Sequence, residues 1–121
     1  MQMTDVLEYR KQGYNCAESV IKAFNEENDA NIPISIASPF GTGMMVGSTC
    51  GAVTGALMAL GTLKGREEVT TKNESRKYTK EIMNKVKEKY GTFECLQLKK
   101  QGVSCNEIIE YTYNVLKECV K

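Results

Sequence analysis

The chain has no histidine and no tryptophan among its 121 residues. Without imidazole there is no Ser/Cys–His catalytic pair, no histidine haem ligand and no side-chain nitrogen of the usual metal-binding kind. Any metal would have to rely on thiolates, carboxylates or backbone groups. An excess of one charge is missing too. Sixteen basic residues face 15 acidic ones, for a net charge of +1. A nucleic-acid footprint should be clustered and unbalanced, so nucleic acid is not an expected partner. With 41% hydrophobic and 26% charged residues, the composition describes an ordinary soluble globular chain, not a disordered tail. Long apolar runs are absent. The span between Asp29 and Lys64 is uncharged, but Pro33, Pro39 and the glycines from Gly41 to Gly47 interrupt it. No stretch of ~20 apolar residues remains to cross a membrane. The opening Met-Gln-Met-Thr-Asp-Val-Leu-Glu is acidic and lacks the apolar core of a signal peptide. A cytoplasmic location is expected.

What the chain does have is five cysteines. A reducing cytoplasm disfavours a structural disulfide framework, and an odd number cannot pair fully. Metal binding or redox chemistry becomes the favoured class, with reduced core cysteines as the plain alternative. No C-x-x-C occurs, which excludes a thioredoxin motif, a zinc ribbon and a haem attachment site. Any sulfur site must be assembled by the fold.

The length suits one domain with one core, residues 1–121. There is no strand-like alternation of useful length and no repeat. The expected fold is all-α, a single-domain bundle of about five helices around a central helix over 48–64. That helix has Ala52, Val53, Ala56, Leu57, Leu60 and Leu63 at helical spacing, with Gly51, Gly55 and Ala59 four apart on another side. Ser48 or Thr49 can cap it, leaving Cys50 in the first turn. Glycine costs a helix roughly 1 kcal/mol relative to alanine. Gly51 and Gly55 therefore suggest close approach to the backbone, by a neighbouring helix or by a cofactor.

Before the central helix, Met3 to Lys11 can form a first helix. Asn15 and Glu18 make a capping-box pattern that starts a second at Cys16, with Ala17, Val20, Ile21 and Phe24 as its apolar stripe. Pro33 can open one helical turn through Ala37, and Ser38 to Gly43 should be irregular. Met44-Met45-Val46 reads as a brief apolar patch before the central helix, its two methionines expected to pack the core rather than wall a small cavity. After the central helix, Tyr78, Ile82, Val86 and Tyr90 recur every four residues in a helix over 71–90, which Gly91 ends. Its many lysines and glutamates read as a solvated face. Thr92 caps a short helix containing Cys95. Ser104, with Glu107 three residues on, caps the last helix, which begins at Cys105. Its buried stripe includes Ile108, Ile109, Val115, Leu116 and Cys119.

Four cysteines thus share one setting. Cys16, Cys50, Cys95 and Cys105 each fall in the first turn of an expected helix. That position has unpaired N–H groups and partial positive charge, which lower a thiol pKa and favour thiolate. Thiolate is the form that binds metal, attacks disulfides and is oxidised. Four such positions in one small domain suggest helix starts converging on a common sulfur-rich site. Cys119, near a helix end on the apolar stripe, reads as core.

The segment Thr49-Cys50-Gly51-Ala52-Val53-Thr54-Gly55-Ala56-Leu57 resembles the CGAxxG signature of the C-GCAxxG-C-C family of redox-active proteins. Gly13 to Val20 is similar to that family's first cysteine segment, and Phe40 to Met44 to its glycine-rich approach. Tyr90 to Cys95 and Ser104-Cys105 match its last two cysteine segments. The resemblance implies a small helical domain with a redox role resting on four cysteines. Carried over, these are Cys16, Cys50, Cys95 and Cys105. The link from Cys95 to Cys105 is short for the family.

Two classes of function follow. In the first, the four cysteines form a redox centre working with an unidentified redox partner protein. They would either ligate an iron–sulfur cluster or cycle between dithiol and disulfide. In the dithiol version Cys50 is the expected nucleophile, with Cys95 and Cys105 as a pair. In the second class, the same thiolates close a tetrahedral zinc site or stay metal-free in a structural module. The small-residue face of the central helix could then serve packing or a homodimer.

Overall fold

A computed structural model describes residues 5–120. Among the described residues there are six α-helices: α1 (Val6–Lys11), α2 (Cys16–Asn28), α3 (Gly51–Lys64), α4 (Ser75–Tyr90), α5 (Cys95–Lys100) and α6 (Cys105–Cys119). Among the described residues there is no β-strand, only an isolated antiparallel bridge between Thr49 and Glu94. The fold is all-α, as the periodicity implies. Met3, expected in the first helix, lies outside the described residues. Asp5 caps α1 by accepting from the Leu7 N–H at 2.9 Å.

The core lies where α2, α3, α4 and α6 meet. Val20, Ile21, Val53, Leu60, Ile82, Val86, Ile109 and Leu116 are fully or almost fully buried there. Burial of this apolar surface is the main favourable term in folding. Gly55 shows how closely α2 and α3 pack. A Cβ on it would lie 3.0 Å from the Ala17 carbonyl oxygen and 3.1 Å from Ala17 Cα. At this position, close packing of two helices accounts for the glycine.

Several boundaries differ from the sequence reading. The central helix begins at Gly51, because Ser48 to Cys50 are extended and pair with the segment before α5. The helix expected over 71–90 begins at Ser75, after Asn73 has turned the chain with its side chain. The 3₁₀ turns that follow Pro33 run through Ser38 and Pro39 to Phe40, where irregular backbone was expected.

The largest departure is at Met44-Met45-Val46. Instead of entering the core, Met45 is 62% exposed and Val46 79%. Thr42, Gly43, Met44 and Met45 are consecutive left-handed residues, with φ of 51°, 58°, 58° and 67°. The Ser48 N–H closes this turn on the Gly43 carbonyl at 2.9 Å. Left-handed backbone costs roughly 1–2 kcal/mol for each non-glycine residue. Gly43 is required at its place. A Cβ there would meet the Ser48 backbone at 2.5 Å and Cys95 Cβ at 2.8 Å.

Candidate functional site

The sulfur site is built from helix starts. Cys16 is the first residue of α2. Asn15 caps that helix by accepting from the Glu18 N–H, and Glu18 returns the bond to the Asn15 N–H. The preceding connector is tied to the same corner: Ser38 donates to the Glu18 carboxylate at 2.7 Å, and Asn15 Nδ2 donates to the Ser38 carbonyl. Cys105 is the first residue of α6, behind Ser104, whose hydroxyl accepts from the Glu107 N–H. Both starts follow the sequence reading.

Cys50 and Cys95 are placed by a different device. Cys50 is itself the N-cap of α3 rather than a first-turn residue, and neither Ser48 nor Thr49 caps. Its carbonyl accepts from the Val53 and Thr54 N–H groups. Cys95 is the first residue of α5, behind Glu94. Thr92 accepts from the Glu94 N–H and so shapes the turn before the helix. The Cys50 N–H donates to the Phe93 carbonyl at 2.8 Å, and the Cys95 N–H donates to the Ser48 carbonyl at 2.7 Å. These bonds flank the Thr49–Glu94 bridge. By the alternation of extended chains they set Cys50 and Cys95 on the face opposite Thr49 and Glu94.

All four cysteines line one cavity of about 20 Å³, together with Gly51, Leu98, Lys99, Val103 and Ile108. Sulfurs far apart in sequence are thus brought to one place. Gly51 lets them gather: a Cβ there would sit 2.7 Å from the Phe40 carbonyl and 3.2 Å from Cys16 Cβ. Gly55, one turn further on, lies outside the lining against Ala17 and Val20. Cys119 lies apart, at the far end of α6, half-buried and near the Glu81 carboxylate.

Access to the sulfurs is uneven. Cys16, Cys50 and Cys95 are buried, whereas Cys105 is partly exposed. Burial pushes the Cys16 thiol up to about 12, reinforced by the Cys105 and Cys50 sulfurs and opposed by Arg10. Burial also raises Cys50. The Ala52 and Val53 N–H groups at the start of α3 pull it back only in part, and the Cys95 and Cys105 sulfurs add to the rise. The expectation that helix starts leave these two thiols acidic is therefore corrected. The favourable end of the helix is there, but desolvation outweighs it. Cys50, at 3% exposure, is also not the accessible nucleophile that its helix position suggested. The Cys16 and Cys105 side chains stand within hydrogen-bonding reach of each other, and the expected Cys95–Cys105 pair lines the same cavity.

Four thiols without imidazole have the right donor chemistry for iron–sulfur or zinc ligation. Among the described residues no three His, Cys, Asp or Glu side chains are grouped to hold a metal ion. A void of about 20 Å³ holds about one water.

Some lining residues had a readable signal. Lys99 lies four residues after Cys95 and Ile108 three after Cys105, so each shares a helix face with its cysteine. Val103 had none. It is placed by a loop bond from its N–H to the Leu98 carbonyl.

No helix among the described residues is long and apolar enough to cross a membrane. A model of the family described as "Putative redox-active protein (C_GCAxxG_C_C)" matches residues 14–119. No curated protein and no solved structure matches the chain.

Proposed function

Since the chain belongs to the C_GCAxxG_C_C family of redox-active proteins, we propose that it works by dithiol/disulfide exchange, with Cys16 and Cys105 as the pair that closes. One observation carries this reading: four sulfurs line a single cavity with room for about one water, and Cys105 is the most accessible of them. In the exchange, the Cys105 thiolate attacks one sulfur of an oxidised partner disulfide. A mixed disulfide forms and the first partner sulfur leaves as thiolate. The Cys16 thiolate then attacks Cys105 Sγ. The Cys16–Cys105 bond forms, the bond to the partner breaks, and the second partner sulfur leaves. Two electrons pass to the partner, and the two protein thiol protons end on the departing thiolates. Burial keeps the Cys16 and Cys50 thiols mostly protonated at neutral pH. The partner is a disulfide-bearing protein or small disulfide, met in a reducing compartment such as the cytoplasm.

The test is metal and labile-sulfide analysis of anaerobically purified protein, followed by oxidation with oxidised glutathione and mass-spectrometric mapping. The expected result is metal-free protein that loses two thiols, gains a Cys16–Cys105 linkage and recovers both thiols with reductant. Bound iron with sulfide and visible absorption would replace this reading with a cluster. One tightly held zinc would replace it with a structural staple.

A further inference from the structure

A buried donor anchored to the chain just before Cys16 lacks an acceptor. Arg10, in the last turn of α1, donates from Nη1 to the Tyr14 carbonyl at 3.3 Å. That carbonyl stands two residues before Cys16, so the guanidinium is held where the chain turns into α2. Its Nε–H is buried and meets no hydrogen-bond acceptor. A buried unmet donor is costly, more so when charged, and calls for an explanation. The Cys16 sulfur, two residues beyond the Tyr14 carbonyl and within the influence of the Arg10 charge, can become that acceptor when it is anionic. A thiol is a weak acceptor, but a sulfur anion is a strong one.

The other chemically active groups around Cys16 do not replace Arg10. On α2 itself, the Glu18 carboxylate is engaged by Asn15 and Ser38. From α3 and α6 come only the Cys50 and Cys105 sulfurs, and their charge would oppose an anion on Cys16. From α5 come Cys95 and Lys99, and Lys99 lies in the cavity wall as an exposed side chain. Arg10 is the charge that favours the anionic form of Cys16.

We propose that Arg10 is a positioning residue for the closing step: its Nε–H gains its missing acceptor when the Cys16 sulfur turns anionic and attacks Cys105. The inference rests on the dithiol reading above. In this step Cys16 gives its proton to solvent and its sulfur bonds to Cys105 Sγ. The bond from Cys105 to the partner breaks, and the partner leaves as thiolate and takes up a proton. No further oxidant is needed.

The experiment uses the full chain with oxidised glutathione at one fixed pH, acid-quenched at intervals. Mass spectrometry separates the Cys105–glutathione mixed disulfide from the closed Cys16–Cys105 disulfide. Arg10→Met should slow closure about tenfold, the scale of one charge-assisted hydrogen bond, and leave formation of the mixed disulfide unchanged. Arg10→Lys should recover much of the loss, which a merely structural role would not do. Circular dichroism checks that both variants are folded, and should Arg10→Met fail to fold, Arg10→Lys against Arg10→Gln supplies the same contrast. Equal closure rates in wild type and Arg10→Met overturn the inference and leave the dithiol reading intact. A wild-type chain that never forms the Cys16–Cys105 linkage overturns the reading itself.

Discussion

The body of the bundle and its sulfur end are built by opposite means. In the body, α2, α3, α4 and α6 bury Val20, Ile21, Val53, Leu60, Ile82, Val86, Ile109 and Leu116 at helical spacing. At the sulfur end, periodic structure stops. Four helices begin there, an isolated bridge ties two of the starts together, and a left-handed turn closes over them. The body follows propensity and supplies stability. The sulfur end departs from it, with three non-glycine residues at positive φ in one turn, and it holds the reactive groups. The contrast teaches that the reactive groups here sit where regular structure ends.

The strongest test of that separation is in the body. Leu60→Ala or Ile82→Ala removes a fully buried side chain and should cost about 2–5 kcal/mol. Urea unfolding measures the loss. Below the melting temperature, oxidation with glutathione should still give the wild-type disulfide pattern. If both stability and thiol pattern change together, the two regions are not independent.

The same contrast explains what could be read in advance. Ile82 and Val86 on α4, and Val20 and Ile21 on α2, were legible because a helix repeats every 3.6 residues and its buried face must be apolar. Asn15 with Glu18, and Ser104 before Cys105, were legible because capping depends on residues three apart. The setting of Cys50 was not, because its cap status depends on pairing with Phe93, distant in sequence. Met44 and Met45 were misplaced because hydrophobicity alone assigns them to the core. Their exposure follows from a left-handed turn closed on Ser48, which residue type does not announce. The thiol acidity was misjudged because a helix position is local, whereas desolvation depends on everything packed around it.

Gly43→Ala probes the sulfur end directly. It combines a positive φ with a Cβ placed 2.5 Å from the Ser48 backbone, and should cost about 1–3 kcal/mol. Because Ser48 accepts from the Cys95 N–H, Cys95 should be alkylated faster by iodoacetamide in this variant. A destabilised protein with unchanged Cys95 reactivity would show that the turn does not hold the sulfur end together.

Alkaline pH sharpens the comparison next. Cys16 is raised from 9.0 to about 12 in the folded chain, chiefly by burial. Cys50 shifts in the same direction. Above pH 9 the unfolded thiol loses its proton while the folded one keeps it, so the folded state binds more protons. Stability therefore falls as pH rises from 9 toward 12, by at most about 1.4 kcal/mol per pH unit for each such thiol. Cys16→Ala should flatten this slope. Ile82→Ala should lower the whole curve and leave the slope alone. Denaturant melts at a series of pH values distinguish the two; an unchanged slope in Cys16→Ala would mean that Cys16 is not desolvated by the fold.

The smallest effect concerns the left-handed turn. Met45 has φ 67° and is 62% exposed, so it gains little from packing. Met45→Gly relieves roughly 1–2 kcal/mol of left-handed backbone cost, against roughly 0.5–1 kcal/mol of added unfolded-state freedom. A net gain of about 0.5–1 kcal/mol is expected, read as a rise in the urea midpoint. Met45→Ala keeps the Cβ and should gain nothing, which separates backbone strain from loss of an exposed side chain. If the glycine variant gains stability but also loosens closure of the Cys16–Cys105 disulfide, the strain at this end is retained for function. If it gains stability with unchanged closure, the turn's geometry matters to the sulfurs and its strain does not.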